Sequence, residues 1–435
     1  MFLQSKLSKA AAANAPVRVC LIGAGKFGSM FLSQVPTTPG LTVARIADLR
    51  PDGARAACRT VGWDEARIGA TVFTDDSAAA IAADDVDVVV EATGNPHAGV
   101  RHARAAIRAG KHVVMVNVEA DVLAGAALGR EARAAGVVYS MAYGDQPALT
   151  AEIVDWARSC GFSVVAAGKG TKYRPHYHQS TPETVWEYMG FDPEQARRDG
   201  MNPKMFNSFT DGTKSALEMA AIANACGLTP PSDGLLFPPC GVDSLAHILR
   251  PAAEGGVLEG KGMVEVVSSE ERDGRPVFRD LRWGVYAVFE APNDYAAGCF
   301  RQYGMNTDAS GRYSAMYKPF HLIGMELNIS ILSAALLGQP TGQTLSFSGD
   351  VAATAKRDLK AGEILDGEGG YCVWGKLMPA ARSLKEAALP IGLAQDVKLT
   401  RDVGAGAVVT YADVEIGADD DVAAYRRAME RANAA

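Results

Sequence analysis

The chain has 435 residues, 48% hydrophobic and 21% charged, with a formal charge of −7. That length is too great for one simple core, so two or three domains are expected. The acidic balance leaves no electrostatic footprint for DNA or RNA. The longest apolar run, "LNISILSAALLG", is too short to span a bilayer. Cys20, Cys58, Cys160, Cys226, Cys240, Cys299 and Cys372 are dispersed with no CxxC pair, which points to a reducing, cytoplasmic compartment and away from a disulfide framework. "MFLQSKLSKAAAANAP" lacks the continuous apolar stretch of a secretory signal and reads as a short amphipathic helix leading into the first strand.

From residue 17 the β-branched runs "VRVCLIG", "LTVARIAD", "VDVVVEATG", "KHVVMVNV" and "VVYSMAY" alternate with helix-spaced segments, "HAGVRHARAAIRAG" and "VLAGAALGREARAAG". This rhythm predicts an α/β fold whose N-terminal domain, 1–148, is a doubly wound parallel sheet of the Rossmann type. "IGAGKFG" sets Gly23, Gly25 and Gly28 between a strand and a helix in the order G-x-G-x-x-G. Gly23 permits the tight turn, Gly25 lets backbone approach a pyrophosphate, and Gly28 lets the helix pack closely. Lys26 and Phe27, between the glycines, complete the expected cofactor loop. Asp48 ends the second strand, where a carboxylate accepts hydrogen bonds from the adenosine ribose and repels a 2′-phosphate, so NAD is expected. Arg50 close by can hold that phosphate, which keeps NADP as the alternative. Thr93 and Gly94 follow the fourth strand, Asn117 and Glu119 the fifth; both pairs are candidates near the nicotinamide. Asn95-Pro96 also fits plain turn chemistry. Asp145, in "GDQPA", fits substrate contact and helix capping equally well.

Beyond residue 148 the pattern changes. "ALTAEIVDWARSCG" reads as a helix and "FSVVAAGKG" as a strand; a polar stretch leads to a helix within 210–227. Strand-like pieces occupy 261–300, and a second apolar helix spans 321–338. Together these predict a central α+β catalytic and dimerising domain, 149–345. "GKGTKYRPHYH" gathers Lys169, Lys172, Arg174, His176 and His178, a density of cations that suits a carboxylate or phosphate; a solvated loop is the alternative. His176 and His178 would ligate a metal if Asp145 or Glu218 joined them, but the spacing does not require it, so a divalent metal stays open. Lys318 and His321, with Glu326 nearby, are further substrate candidates. Lys214 and Glu218 sit four apart on one helix face. That face is expected to be wet, because Leu217, Ala221, Ile222 and Ala225 lie largely to the other side. In 346–435, short strands with Gly turns predict a small β-rich domain. "RDLKAGEIL" and "RDVGAGAVV" look like a weak internal duplication, and a charged helix closes the chain.

The phrases "IRAGKHVVMVNVEADV", "VVAAGKG", "DGTKSALEMAAIANACGL", "AEGGVL" and "PFHL", together with the glycine loop, resemble the homoserine-dehydrogenase-like oxidoreductases with a C-terminal SAF domain. Within that group the chain is most similar to the DXP reductoisomerase-like enzymes. The resemblance covers most of the chain. It implies NAD(P)-dependent hydride transfer on a small anionic polyol, sugar or hydroxy acid, a SAF domain over 346–435, and a homo-oligomer, dimer or tetramer. Reductoisomerisation would add a carbon-skeleton rearrangement, usually with a divalent metal. Homoserine dehydrogenases carry an Asp-x-x-x-Lys helix. Aligned on the apolar run, Glu218 takes the lysine position and Lys214 the aspartate position, with the charges exchanged. The resemblance thus implies catalytic roles for Lys214, Glu218, Lys169 and Asp211, with Lys214, Lys169 or His176 moving the proton and Glu218 orienting the group or acting as base. A homoserine-dehydrogenase-type amino-acid alcohol dehydrogenase and a non-catalytic NAD-binding regulator are the alternative functions.

Overall fold

The valine- and isoleucine-rich runs form Val17–Ile22 (β1), Leu41–Ala47 (β2), Val72–Thr74 (β3), Val88–Glu91 (β4), His112–Met115 (β5) and Tyr139–Met141 (β6). This is a computed structural model, and it describes residues 3–434. The six strands make one sheet in the order β3-β2-β1-β4-β5-β6, with every neighbouring pair parallel. Strand order reverses between β1 and β4, and the crevice beyond the carboxyl ends at such a reversal is where open α/β sheets take their ligands. All four residues of β4 are buried, as a central parallel strand covered on both faces requires. Val19, Leu21, Phe31, Ile46, Val90 and Val114 form the core, and Leu7 of the Leu3–Ala12 helix joins it.

The helix expected over 321–338 is shorter, Asn328–Leu337. Gly324 stands at φ +76, in the left-handed region, which a right-handed helix cannot continue through. Leu327, Ile331 and Leu332 complete the same core. The Tyr143 N–H donates to Ser330 Oγ at 2.7 Å, and that hydroxyl donates to the Met141 carbonyl at 3.1 Å. Residues 321–345 accordingly fold with 1–151 as one compact unit, and 152–320 with 346–435 form the other.

In the second unit Ser163–Thr171 (β7), Met263–Ser268 (β8), Val285–Glu290 (β9) and Tyr313–Lys318 (β10) are ordered β10-β9-β7-β8. β7 and β8 are parallel; the other pairs are antiparallel. The helix Thr213–Cys226 begins after Gly212 (φ +89) and stops at Gly227 (φ +61). Its expected wet face is not there: every residue from Ser215 to Asn224 is buried. Alanines at 216, 220, 221 and 223 leave no broad polar stripe, and a helix without one is covered all round. It packs on β7 and β8 and also on Gly349–Ala355 (β11) and, beyond Ile364–Asp366 (β12), on Val373–Pro379 (β13).

β11 pairs with β13, and β12 joins Gln395–Leu399 (β14) and Val414–Glu415 (β15) in a small antiparallel sheet. The two half-phrases face each other. Leu359 and Val403, equivalent positions, exchange N–H to carbonyl bonds of 2.8 and 3.0 Å. The Ala361 N–H donates to Asp402 and the Ala405 N–H to Asp358, both at 2.9 Å. The duplication is therefore a local two-fold pairing. The terminal helix, Asp421–Asn433, is pinned by Arg426, which is fully buried and paired with Asp350 (2.6 Å) and Glu430 (2.9 Å). All seven cysteines are free thiols. Among the described residues no helix is long and apolar enough to cross a membrane.

Candidate active site

The glycine loop leaves β1 at the point where the sheet reverses. Gly23 has φ +92, and a Cβ there would lie 2.8 Å from the Ala92 carbonyl oxygen beyond β4. At Gly28 a Cβ would lie 2.5 Å from the Gly23 carbonyl oxygen, so the following helix, Lys26–Leu32, can come this close only without a side chain. Gly25 differs: a Cβ would meet nothing within 4 Å. That is an open cradle beside backbone, and it fits the pyrophosphate of a dinucleotide. Lys26 is exposed, while Phe27 packs against the core.

Asp48 follows β2 and is half-buried. Its carboxylate accepts the Ala24 N–H at 2.8 Å and the Arg50 N–H at 2.9 Å. It therefore braces the glycine loop. Arg50 is exposed and stands at the cap position of the helix Pro51–Thr60 without a side-chain capping bond. Thr93 and Gly94 are exposed beyond β4. Asn117 and Glu119 lie where a helix has already begun: Asn117 caps Val118–Ala134 by accepting the Ala120 N–H, and Glu119 sits in its first turn. Asn117 also donates to the Asn95 carbonyl at 2.9 Å, tying the two loops together. Glu91, not singled out from the sequence, is fully buried at the end of β4; it takes the Thr93 hydroxyl and lies 3.2 Å from His102 Nδ1. Its signal was a carboxylate closing an otherwise apolar strand.

In the second unit Lys169 of β7 and Glu218 of the Thr213–Cys226 helix are in direct ion contact, with side chains only 6% and 2% exposed. Lys214, one turn earlier, is half-buried. Asp211 pairs with Lys356 at 2.8 Å and accepts the Thr213 N–H at 2.9 Å. Burial pushes the Asp211 carboxyl above the usual carboxylate range, against the opposing pull of Lys356. Lys356 also donates to the Ser180 and Gly370 carbonyls, both at 2.7 Å, which is the bonding of a structural strut. Its position in "TAKRD" carried no sequence signal. Glu265 in β8 was likewise missed. It is buried and accepts the N–H groups of Val266 (2.8 Å), Leu236 (3.1 Å) and Phe237 (3.3 Å). Desolvation outweighs those donors and pushes it up to about 7.

The side chains of the cationic stretch go to separate partners. Lys172 donates to the Tyr188 carbonyl and lies 3.5 Å from Glu270, which Arg174 also engages at 2.8 Å. His176 is exposed with its ring against Tyr177 and Tyr188. His178 stacks on Trp374 at 3.9 Å. Its Nδ1 meets the Asp211 carbonyl at 2.7 Å and so carries the proton, leaving Nε2 to accept from the Tyr173 hydroxyl at 3.0 Å. Burial lowers its pKa and favours this neutral form. The two histidines thus engage different neighbours. Among the described residues no group of three or more His, Cys, Asp and Glu side chains is placed to hold a metal ion. Asp145 is buried in the first unit and accepts the Gln146 N–H at 2.9 Å. Lys318 ends β10 in the second unit, His321 lies in the first, and both are half-buried.

Residues 17–143 match the profile of an oxidoreductase family with an NAD-binding Rossmann fold (GFO/IDH/MocA), and residues 144–327 match the catalytic domain of oxidoreductase DRL. The chain thus joins a segment similar to an NAD-binding Rossmann domain to one similar to an oxidoreductase catalytic domain. The Lys169–Glu218 pair lies within the DRL-matched segment. A search of curated proteins returns no match. Among solved structures, the chain is similar to a probable dehydrogenase from Thermotoga maritima at 14% identity, covering 74% of this chain and 90% of that one, with a TM-score of 0.37. A 3-ketoreductase from Actinomadura kijaniata shares 20% identity over 37% of this chain and 49% of its own, with a TM-score of 0.26. The myo-inositol dehydrogenase from Lactobacillus casei shares 16% over 39% and 50%, with a TM-score of 0.29. The chain thus spans about half the length of the latter two.

Proposed function

We propose that this protein moves a hydride between NAD and a CH–OH or carbonyl carbon of a small polyol, sugar or hydroxy acid, phosphorylated or carboxylated, with Lys169 and Glu218 handling the proton. The observation that carries this reading is a lysine–glutamate contact withdrawn almost wholly from water inside a segment matched as catalytic. Paired charges are costly to bury and are concentrated at sites that use them. In the reducing direction the Lys169 ammonium gives its proton to the carbonyl oxygen as that oxygen gains charge. Glu218 holds the ammonium in place. In the oxidising direction the hydroxyl proton returns to the same pair. Lys214, one helical turn from Glu218, binds the substrate oxygen. Gly23, Gly25 and Gly28 cradle the pyrophosphate, and Asp48 selects NAD over NADP by accepting from the ribose. When bound, the nicotinamide accepts or returns the hydride. The test is a screen of polyols, sugar acids and sugar phosphates, read by nicotinamide absorbance with NADH and NADPH in parallel. Turnover of any such compound that disappears in Lys169→Met, while cofactor binding persists, supports the reading. Turnover that survives in that variant refutes it.

A second, narrower reading is a DXP reductoisomerase-like activity. It is favoured by the position of the resembling phrases "VVAAGKG", "DGTKSALEMAAIANACGL", "AEGGVL" and "PFHL", all inside the DRL-matched 144–327. Consumption of deoxyxylulose phosphate with NADPH, with and without added Mg²⁺, tests it directly. The same proposal assigns cofactor binding to 1–148, substrate handling to 149–345 and a SAF-like module to 346–435, in a homodimer.

A further inference from the structure

A cavity of about 200 Å³ opens within the second unit, between the start of the Thr213–Cys226 helix, the 233–237 loop and β13. Ala216 lines it, and Glu218 stands about 200° further round the same helix. The cavity and the Lys169–Glu218 pair therefore occupy opposite flanks of that helix.

The walls are held in place at some cost. Phe237 sits at φ +49, a left-handed conformation strained for an aromatic residue. Two things hold it there: Glu265 accepts the N–H groups of Leu236 and Phe237, and the Phe237 ring stacks on Tyr173 at 3.9 Å. The Trp374 wall is backed by His178, whose two nitrogens are bonded to the Tyr173 hydroxyl and the Asp211 carbonyl. Gly234, at φ +92, lets the Lys376 stem pass; a Cβ would lie 3.1 Å from its Cε. At the rim, Asp233 is 2.7 Å from Lys376. One cation faces one carboxylate on the lining, so the rim is polar without net charge; outside it, Arg382 lies 3.4 Å from Asp233 and 2.7 Å from Glu386. The Asp233 side chain is 81% exposed, so it can reach a molecule at the mouth.

We propose that this cavity binds a neutral polyhydroxylated molecule, a single small sugar or polyol, separately from the acid–base pair. Aromatic walls suit the C–H faces of such a molecule, and the Asp233–Lys376 pair offers an acceptor and a donor side by side for neighbouring hydroxyls. A charge-balanced rim gives no long-range attraction to an anion. The test is saturation-transfer NMR on the full chain, with xylitol as the neutral probe and xylonate as its anionic counterpart. Asp233→Ala, at an exposed position, and Leu235→Trp, which fills the cavity, are the variants; thermal melting confirms that both fold. Wild type should saturate xylitol more strongly than xylonate, and either variant should lose at least fivefold of the xylitol signal. The proposal is overturned by no xylitol signal in wild type, by xylonate giving the stronger one, or by a signal unchanged in both variants. The readout is binding alone, so the outcome is independent of whether the catalytic reading holds.

Discussion

Lys169 and Glu218 can be tested as a pair, because a structural role and a catalytic role predict different patterns across a double-mutant cycle. Their side chains are 6% and 2% exposed, so each charge relies on the other in place of water. Lys169→Met leaves a carboxylate buried alone, and Glu218→Gln leaves an ammonium buried alone; each should cost about 3–5 kcal/mol of unfolding free energy. The double variant removes both charges, keeps the volume, and should recover most of that loss, giving a coupling of about 3 kcal/mol or more. Turnover should behave differently. A positioned proton donor contributes about 10²–10⁴-fold, and restoring the fold does not restore the proton. The assay pairs urea unfolding of all four proteins with nicotinamide-monitored turnover of a compound found in the screen. A double variant that regains both stability and turnover would make the pair a buried strut and refute the acid–base role. Additive stability losses would refute the buried-pair reasoning itself.

Gly25→Ala should leave stability within about 0.5 kcal/mol, because the added Cβ meets nothing, yet weaken NADH binding at least tenfold by calorimetry. Gly23→Ala should cost about 1–3 kcal/mol, since its φ of +92 and the Ala92 carbonyl both oppose a side chain. Wild type should bind NADH more tightly than NADPH, and Asp48→Ala should abolish that preference; an unchanged preference would assign the discrimination to Arg50. Burial pushes the Asp121 carboxyl up to about 6, even though the Tyr139 and Thr344 hydroxyls donate to it. Between its ordinary 3.8 and that value the unfolded chain gives up a proton that the folded one keeps, so stability falls as pH rises, by about 3 kcal/mol in all. Asp121→Asn should lack this loss. The urea midpoints of wild type and variant should diverge in the variant's favour from about pH 4 to about pH 7, and a constant gap would refute the assignment.

Local pattern and backbone chemistry were enough for the cofactor half. Alternating apolar runs specify parallel strands because both faces must be covered, and the spacing of Gly23, Gly25 and Gly28 is a local pattern, Gly28 lying against the Gly23 carbonyl. The charge partners were not legible. Lys214 and Glu218, four apart, invited a surface pair, but what buries the helix is β7 and β8 on one side and β11 and β13 on the other. The lysine that meets Glu218 comes from β7. Lys172 and Arg174 looked like an anion site until Glu270, far along the chain, supplied their counter-charge. The sequence by itself determined what has a short period: strands, helix ends, the glycine loop, and the duplicated phrases whose Leu359 and Val403 pair. Only the tertiary structure decided which charges are desolvated together and that 321–345 folds with the first unit. Burial is a property of everything packed around a residue, and most of that is distant in sequence.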